Sequence, residues 1–380
     1  MRGLLPIAAI LGVFSLWHAA PTAQEPSESG TVRPIDPAQV VLPPEQASAL
    51  VTRFSFIAYG DTRGQADGQE LQLEHERIVR AVLDAIGERA SGAFPVRFIV
   101  QSGDAVTAGS VAAQWNVSFT PLIERLLRDG RVPYFFAVGN HDVTGRLAED
   151  PQRQPGLTNT LAAMSRLYPP EGSLRRLNGY PTFAFGYGRV FVVAIDSNIA
   201  DDVTQLAWVT TQLEQLDRGR YPLVIALFHH PPFSSGPHGG QIVEAPTDSM
   251  RRLYLPLFRQ HHVRMTITGH EHLYEHWVER YSDAAGAHRI DHVVSGGGGA
   301  PTYTYQGDPD VSEYLAAAQP LEVGLERVVK PGETIAENPH HFVVVGVDGD
   351  RLSLEVIGTG PIGYRPYGGS PRVDLVDRVN

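Results

Sequence analysis

Five short apolar runs in this chain stop in the same kind of polar cluster, and that recurrence limits the fold more than any other feature. Phe54 to Tyr59 ends at Gly60-Asp61-Thr62-Arg63, Val96 to Val100 at Ser102-Gly103-Asp104, and Val132 to Val138 at Gly139-Asn140-His141-Asp142. Leu223 to Phe228 ends at His229-His230-Pro231-Pro232, and Met265 to Thr268 at Gly269-His270-Glu271-His272. Runs of this length, rich in β-branched and aromatic residues, predict strands. Between them lie longer segments with helical spacing. Ile78, Val79, Val82, Leu83 and Ile86 mark a helix over Glu74–Glu88, and Trp115, Phe119, Leu122, Leu126 and Leu127 another over Val111–Arg128, with Pro121 a point of kinking or splitting. Thr204–Leu216, Ser249–His261 and a shorter stretch around Leu161–Leu167 complete the helices. Such alternation is the pattern of a layered α/β protein. In open α/β sheets, ligands gather outside the carboxyl ends of strands, so the five endings predict one shared site.

Two hairpins are also expected. Phe183–Tyr187 is followed by Val190–Ile195, and Phe342–Val347 and Leu352–Ile357 flank Asp348-Gly349-Asp350, a strong turn signal. Ile290–Val294 runs into Gly296 to Gly299, either a flexible stretch or a place where backbone closely approaches the site. Arg2, an apolar stretch from Leu4 to Trp17, then Ala19, Ala20 and Ala23, have the order of an export signal. Residues 1–23 are therefore expected to be a leader and the protein to be secreted or periplasmic, with no stable membrane span after cleavage; an uncleaved anchor is the alternative. Residues 24–49, rich in Pro, Ser, Glu and Gln, read as a disordered linker, 50–360 as one folded domain, and 361–380 as a loop-like tail.

The balance of 42 acidic against 31 basic residues gives a net charge of −11, which argues against nucleic acid as the main partner. With no cysteine, any metal site must be built from His, Asp, Glu and Asn. The strand endings supply two carboxylates, an amide oxygen and several imidazoles, a donor set suited to hard or borderline divalent ions. Two such ions about 3.5–4 Å apart can clamp a phosphoryl group. Gly139-Asn140-His141-Asp142 taken alone would also make an ordinary turn. Of His229 and His230, placement after a buried strand favours ligation for one.

These motifs in this order resemble the calcineurin-like metallophosphoesterase superfamily, and Gly269-His270-Glu271-His272-Leu273-Tyr274-Glu275 is similar to the matching segment of its purple acid phosphatase branch. The resemblance implies a four-layered α/β sandwich with two mixed β-sheets flanked by helices. It implies two divalent or mixed-valence metal ions, drawn from Fe, Mn and Zn, and a small phosphorylated substrate. Asp61 and His272 would lie on the first ion, Asp104 would bridge, and Asn140, His229 and His270 would hold the second. His141 would contact the phosphoryl group or protonate the leaving oxygen, Asp142 would orient His141, and His230 would be left to contact either substrate or the metal ligands. The implied reaction is hydrolysis of phosphate esters by a hydroxide activated between two metals, with a phosphomonoesterase favoured. The alternatives are a phosphodiesterase for nucleotide or glycerophosphodiester substrates and a catalytically weak phosphate-binding module.

The chain departs from the resemblance at the first ion. The family usually has Asp-x-His at the first motif, where this sequence has Asp61-Thr62-Arg63, and the purple branch has Tyr three residues after the bridging Asp, where this sequence has Thr107. Arginine cannot ligate a metal. Arg63 is read either as a phosphate contact or as a surface loop residue. His75 either fills the vacant ligand position or lies solvated beside Glu74 and Glu76.

Overall fold

Most strands in this chain are apolar on both faces, which requires each sheet to be covered on both sides. A computed structural model describes residues 30–239, 243–361 and 363–376; the expected leader lies outside these. In chain order the elements are β1 (Arg53–Tyr59), α1 (Leu73–Arg89), β2 (Val96–Gln101), α2 (Thr120–Gly130), β3 (Tyr134–Phe136), α3 (Arg153–Met164), β4 (Phe183–Tyr187), β5 (Val190–Ala194), α4 (Val203–Glu214) and β6 (Leu223–Leu227). There follow α5 (Ala245–Ser249), α6 (Leu255–Gln260), β7 (Met265–Thr268), β8 (Tyr274–Asp283), β9 (Gly286–Ser295), α7 (Ser312–Ala317), β10 (Gly324–Val329), β11 (His341–Asp348), β12 (Arg351–Gly358) and β13 (Arg372–Leu375).

They form a six-stranded sheet in the order β13-β12-β11-β1-β2-β3 and a seven-stranded sheet in the order β10-β8-β9-β7-β6-β5-β4. Both sheets are mixed: β1, β2 and β3 run parallel, as do β5, β6, β7 and β9, while the outer strands pair antiparallel. The sheets pack face to face through aromatic rings, with Phe98 edge-on to Phe185 at 5.2 Å and Phe135 stacked on Phe185 at 3.9 Å. Side chains alternate along β5: Val190, Val192 and Ala194 enter this shared core, while Phe191 and Val193 join Val209 and Leu213 of α4 and Phe258 of α6 on the other face. Ile78 and Val82 of α1, with Leu122 and Leu126 of α2, are buried against the first sheet. The result is the four-layered sandwich. Among the described residues, no helix is long and apolar enough to cross a membrane.

Several expectations need correction. The helix expected over Val111–Arg128 is a π-helical segment, Gln114–Phe119, running into α2, with Pro121 in the first turn of α2. Proline has no N–H to donate, and the wider π turn absorbs the missing bond. The same arrangement recurs in the segment expected as Ser249–His261, where a π turn, Met250–Tyr254, precedes Pro256 at the start of α6. The short helix expected around Leu161–Leu167 begins earlier, as α3, with Arg153 buried in an ion pair with Asp196.

Residues 30–49 are not a loose linker where described. Val32, Ile35 and Ala38 are buried in the main core, Ile35 N–H donates to the Ala163 carbonyl at 2.9 Å, and Glu45 pairs with Arg175 at 2.8 Å. The tail expected as loop contains β13, which pairs with β12.

This topology brings the ends of the central parallel strands together. Asp61, Asp104 and Asn140 follow β1, β2 and β3, while His229 and His270 follow β6 and β7 of the facing sheet.

Candidate active site

Asp61, Asp104 and His270 each follow a glycine, and each takes a positive φ, of 62°, 55° and 68°. Such backbone is uncommon for residues with a side chain, and it collects at functional sites, where surrounding structure holds the strain. It turns the chain sharply at the end of a strand. The carboxylates then lie against neighbouring glycines: a Cβ on Gly139 would sit 2.1 Å from Asp104 Oδ1, and one on Gly269 would sit 2.3 Å from Asp61 Oδ2.

Hydrogen bonds at the outer side of each imidazole decide what faces inward. His229 Nδ1 lies 2.9 Å from the Ser102 carbonyl, which only accepts, so the proton is on Nδ1 and Nε2 presents a lone pair. His270 Nε2 lies 3.1 Å from the Glu244 carboxylate, so its Nδ1 is bare by the same reasoning. These two bare nitrogens are 3.2 Å apart. Asn140 Oδ1 lies 2.9 Å from the first and 3.1 Å from the second, and Asp104 Oδ1 is 3.4 Å from His229 Nε2. Four acceptors converge with no proton among them, a donor set that fits a divalent cation.

A second set adjoins the first. His272 Nδ1 lies 2.7 Å from the Pro301 carbonyl, which leaves Nε2 bare and 3.5 Å from Asp61 Oδ1. Asp104 adjoins this set, with carboxylate oxygens of Asp61 and Asp104 within 4.8 Å of each other. Here, however, there are donors: Arg63 Nη2 is 3.5 Å from His272 Nε2, and Arg63 Nε is 3.5 Å from Asp104 Oδ2. Arg63 is thus inside the site rather than on a surface loop. Burial pushes the Asp61 carboxyl up to about 7. Asp104 is buried too, but the donors and positive charge gathered around it, the Arg63 guanidinium and the His141 backbone N–H among them, outweigh that and draw it down to about 2.

His141 sits at the open side, with Nδ1 2.7 Å from the Thr107 carbonyl and Nε2 4.0 Å from Asp104 Oδ2. Its tautomer is therefore set by a main-chain oxygen. The expectation that Asp142 orients His141 is wrong, because Asp142 is fully occupied elsewhere. Its carboxylate accepts from the backbone N–H groups of Asp104 at 2.7 Å, Ala105 at 2.8 Å and Gly139 at 2.8 Å. Asp142 is a positioning residue that ties the loop after β2 to the loop after β3.

Two further expectations are corrected. His230 is only 2 % exposed, its ring 4.4 Å from that of His270 and its Nδ1 2.8 Å from Ser197 Oγ, so of its two readings it packs behind the ligand His270 and does not open toward substrate. His75 is neither a ligand nor a surface residue. It is fully buried, with Nδ1 2.9 Å from Gln72 Oε1, Nε2 3.4 Å from Tyr59 Oη, and its ring stacked on Phe119. The helical spacing that placed Ile78, Val79 and Val82 inward also points His75 inward, and that signal was available.

Burial lowers His75 to about 3, against 6.5 for a free imidazole. The unfolded chain therefore takes up a proton that the folded chain refuses, and stability is lost as pH falls from about 6.5 toward 3, by up to about 1.4 kcal/mol per pH unit. His75→Gln is expected to remove that part of the slope. Denaturant midpoints measured between pH 6.5 and 4 check this, and an unchanged slope would place the acid sensitivity elsewhere.

Sequence reasoning missed Glu244 and Tyr303. Glu244 bonds His270 and also His238 Nδ1 at 3.1 Å; Tyr303 lies flat on His272, ring centroids 4.1 Å apart. Both come from irregular segments with no periodic signal. The glycine run does approach the site closely, with Gly298 N–H donating to the Gly60 carbonyl at 2.8 Å.

A family profile for calcineurin-like phosphoesterases matches residues 56–274. The chain belongs to that family. Membership implies hydrolysis of phosphoric esters at a dinuclear divalent-metal centre. The fold of this phosphoesterase is similar to that of a purple acid phosphatase from yellow lupin (Lupinus luteus) seeds, with 18% identity and a TM-score of 0.57. The alignment covers 83% of this chain and 53% of the lupin chain, so the protein spans about half the length of that relative. A dimetal phosphatase from Danio rerio aligns at 14% identity and a TM-score of 0.43, over 81% of this chain and 96% of that one. An anchor protein of the Plasmodium inner membrane complex aligns at 15% identity and a TM-score of 0.48, over 85% and 89% of the two chains.

Proposed function

We propose that this phosphoesterase acts on small phosphate monoesters, using a metal site centred on Asp104, Asn140, His229 and His270. The observation that carries the reading is the convergence of four proton-free acceptors, His229 Nε2, His270 Nδ1, Asn140 Oδ1 and Asp104 Oδ1, beside the open imidazole of His141. A divalent ion bound there supplies polarisation of a phosphoryl oxygen and acidifies a water. The residues do the rest. Arg63 offers N–H groups to phosphoryl oxygens, and its fixed positive charge suits the doubly charged phosphoryl of a monoester better than the singly charged phosphoryl of a diester. His141, held by the Thr107 carbonyl, keeps Nε2 toward the site, and its protonated form hands a proton to the leaving oxygen.

The test compares p-nitrophenyl phosphate with bis-p-nitrophenyl phosphate for the protein loaded in turn with Fe, Mn and Zn. The monoester is expected to have the higher kcat/KM, by about tenfold or more, equivalent to about 1.4 kcal/mol. A preference for the diester under every metal reverses the assignment in favour of a phosphodiesterase.

The leader-like start at residues 1–23 supports export, placing the reaction in the periplasm or outside the cell. Recovery of the protein in the cytosolic fraction with Met1 and Arg2 still attached would remove that placement.

A further inference from the structure

We infer that the guanidinium of Arg63 takes the place of one of the two metal ions implied by the family, so that the native protein carries a single divalent ion on Asp104, Asn140, His229 and His270. The inference deepens the phosphoesterase reading and rests on it.

The two acceptor sets differ in what lies between them. In the set just named, the inward-facing atoms all present lone pairs, and among the described residues only the His141 backbone N–H donates to one of them, Asp104 Oδ1, at 3.0 Å. In the other set, His272 Nε2 is equally bare, because Nδ1 is committed to the Pro301 carbonyl at 2.7 Å, and Asp61 Oδ1 stands 3.5 Å from it. Into that set Arg63 directs two nitrogens, Nη2 toward His272 Nε2 and Nε toward Asp104 Oδ2, each at 3.5 Å. Arg63 Nε is buried and has no other partner among the described residues. A guanidinium is always charged and has no lone pair to give. It therefore balances the buried carboxylates of Asp61 and Asp104 as a cation does, without ligating anything.

Among the described residues, none restores the ligand count beside it. Thr107 Oγ1 is turned away, 3.0 Å from the Gly64 carbonyl and 3.1 Å from Asp67 Oδ2. Both ring nitrogens of His75 are engaged by Gln72 and Tyr59. A divalent ion entering this set would meet three protein ligands, Asp61, Asp104 and His272, and a like charge alongside them. One ion and one guanidinium also place positive charge on both sides of Asp104, where a phosphoryl group would bind between them.

Metal content per folded chain tests this, read by plasma mass spectrometry after apo protein is loaded separately with Mn, Zn and Fe and freed of excess. The native protein is expected to hold one ion. His229→Ala is expected to hold none, and His272→Ala to keep the one. Arg63→His, which returns an imidazole where the guanidinium stood, is expected to hold two. Two ions in the native protein, or loss of an ion in His272→Ala, overturns the inference while leaving phosphoester hydrolysis intact. A folded Arg63→His that still holds one ion also overturns it, because the guanidinium would not be what excludes the second. If no metal binds and no phosphoester is cleaved, the phosphoesterase reading of this site fails as well, a result distinct from the others.

Discussion

Asp104→Asn is expected to lower phosphoester turnover by about a thousandfold or more and to release bound metal, with little change in thermal stability. Asp104 is the residue the whole site shares. One carboxylate oxygen lies 3.4 Å from His229 Nε2 and accepts the His141 backbone N–H at 3.0 Å, and the other lies 3.5 Å from Arg63 Nε. Asparagine keeps the shape and one acceptor oxygen but removes the charge that a divalent ion and a guanidinium both need. A bound ion contributes several kcal/mol to charge stabilisation in the transition state, and each 1.4 kcal/mol corresponds to about a factor of ten. The fold should survive, because the backbone turn at this position is held by Asp142 through N–H groups that the substitution does not touch. Metal content, kcat and a melting curve on the same preparation check the prediction. Undiminished metal and turnover would move the centre of the site away from Asp104.

His141→Ala is expected to separate what Asp104→Asn joins, reducing kcat by about a hundredfold to ten-thousandfold, the usual range for loss of a proton-transfer group, while metal content stays the same. Only the backbone N–H of His141 touches Asp104 at hydrogen-bond distance, and alanine retains it. The loss should also depend on the leaving group. An alkyl alcohol needs a proton as it departs, whereas p-nitrophenolate leaves readily without one, so the alkyl phosphate should suffer more. Comparing the kcat ratio of native protein and variant on a matched alkyl and p-nitrophenyl pair decides it. An equal loss on both substrates, or a parallel loss of metal, would exclude His141 as the proton donor.

The layered fold and the convergence of the strand ends were legible because both rest on local patterns: β-branched runs, helical spacing, and a polar cluster where each run stops. What was not legible depended on contacts between distant segments. Asp142 stands next to His141 in sequence, but its carboxylate serves the turn after β2, and no spacing rule reports that. The segment from Val32 to Ala38 has the composition of a tether, yet a few apolar side chains suffice to seat it when α3 offers a surface and a carbonyl, that of Ala163. Glu244 and Tyr303 reach the site from loops, which carry function without periodicity. His75 is the instructive case, since its position on the inward face of α1 could be read from spacing, whereas the partners that occupy both its nitrogens could not.

The outer bonds of the imidazoles also bear on how this site can change over generations of mutation. His141, His229 and His272 take their orientation from main-chain carbonyls, of Thr107, Ser102 and Pro301, which no side-chain replacement can remove. His270 alone leans on a side chain, that of Glu244. Three of the four rings are therefore fixed by the course of the chain, and drift in the surrounding sequence leaves their tautomers intact. Variation that retunes the basicity of the ligands without dismantling the site has one natural place to act, at Glu244, where a shorter acid or an amide would alter His270 and leave the other three as they are.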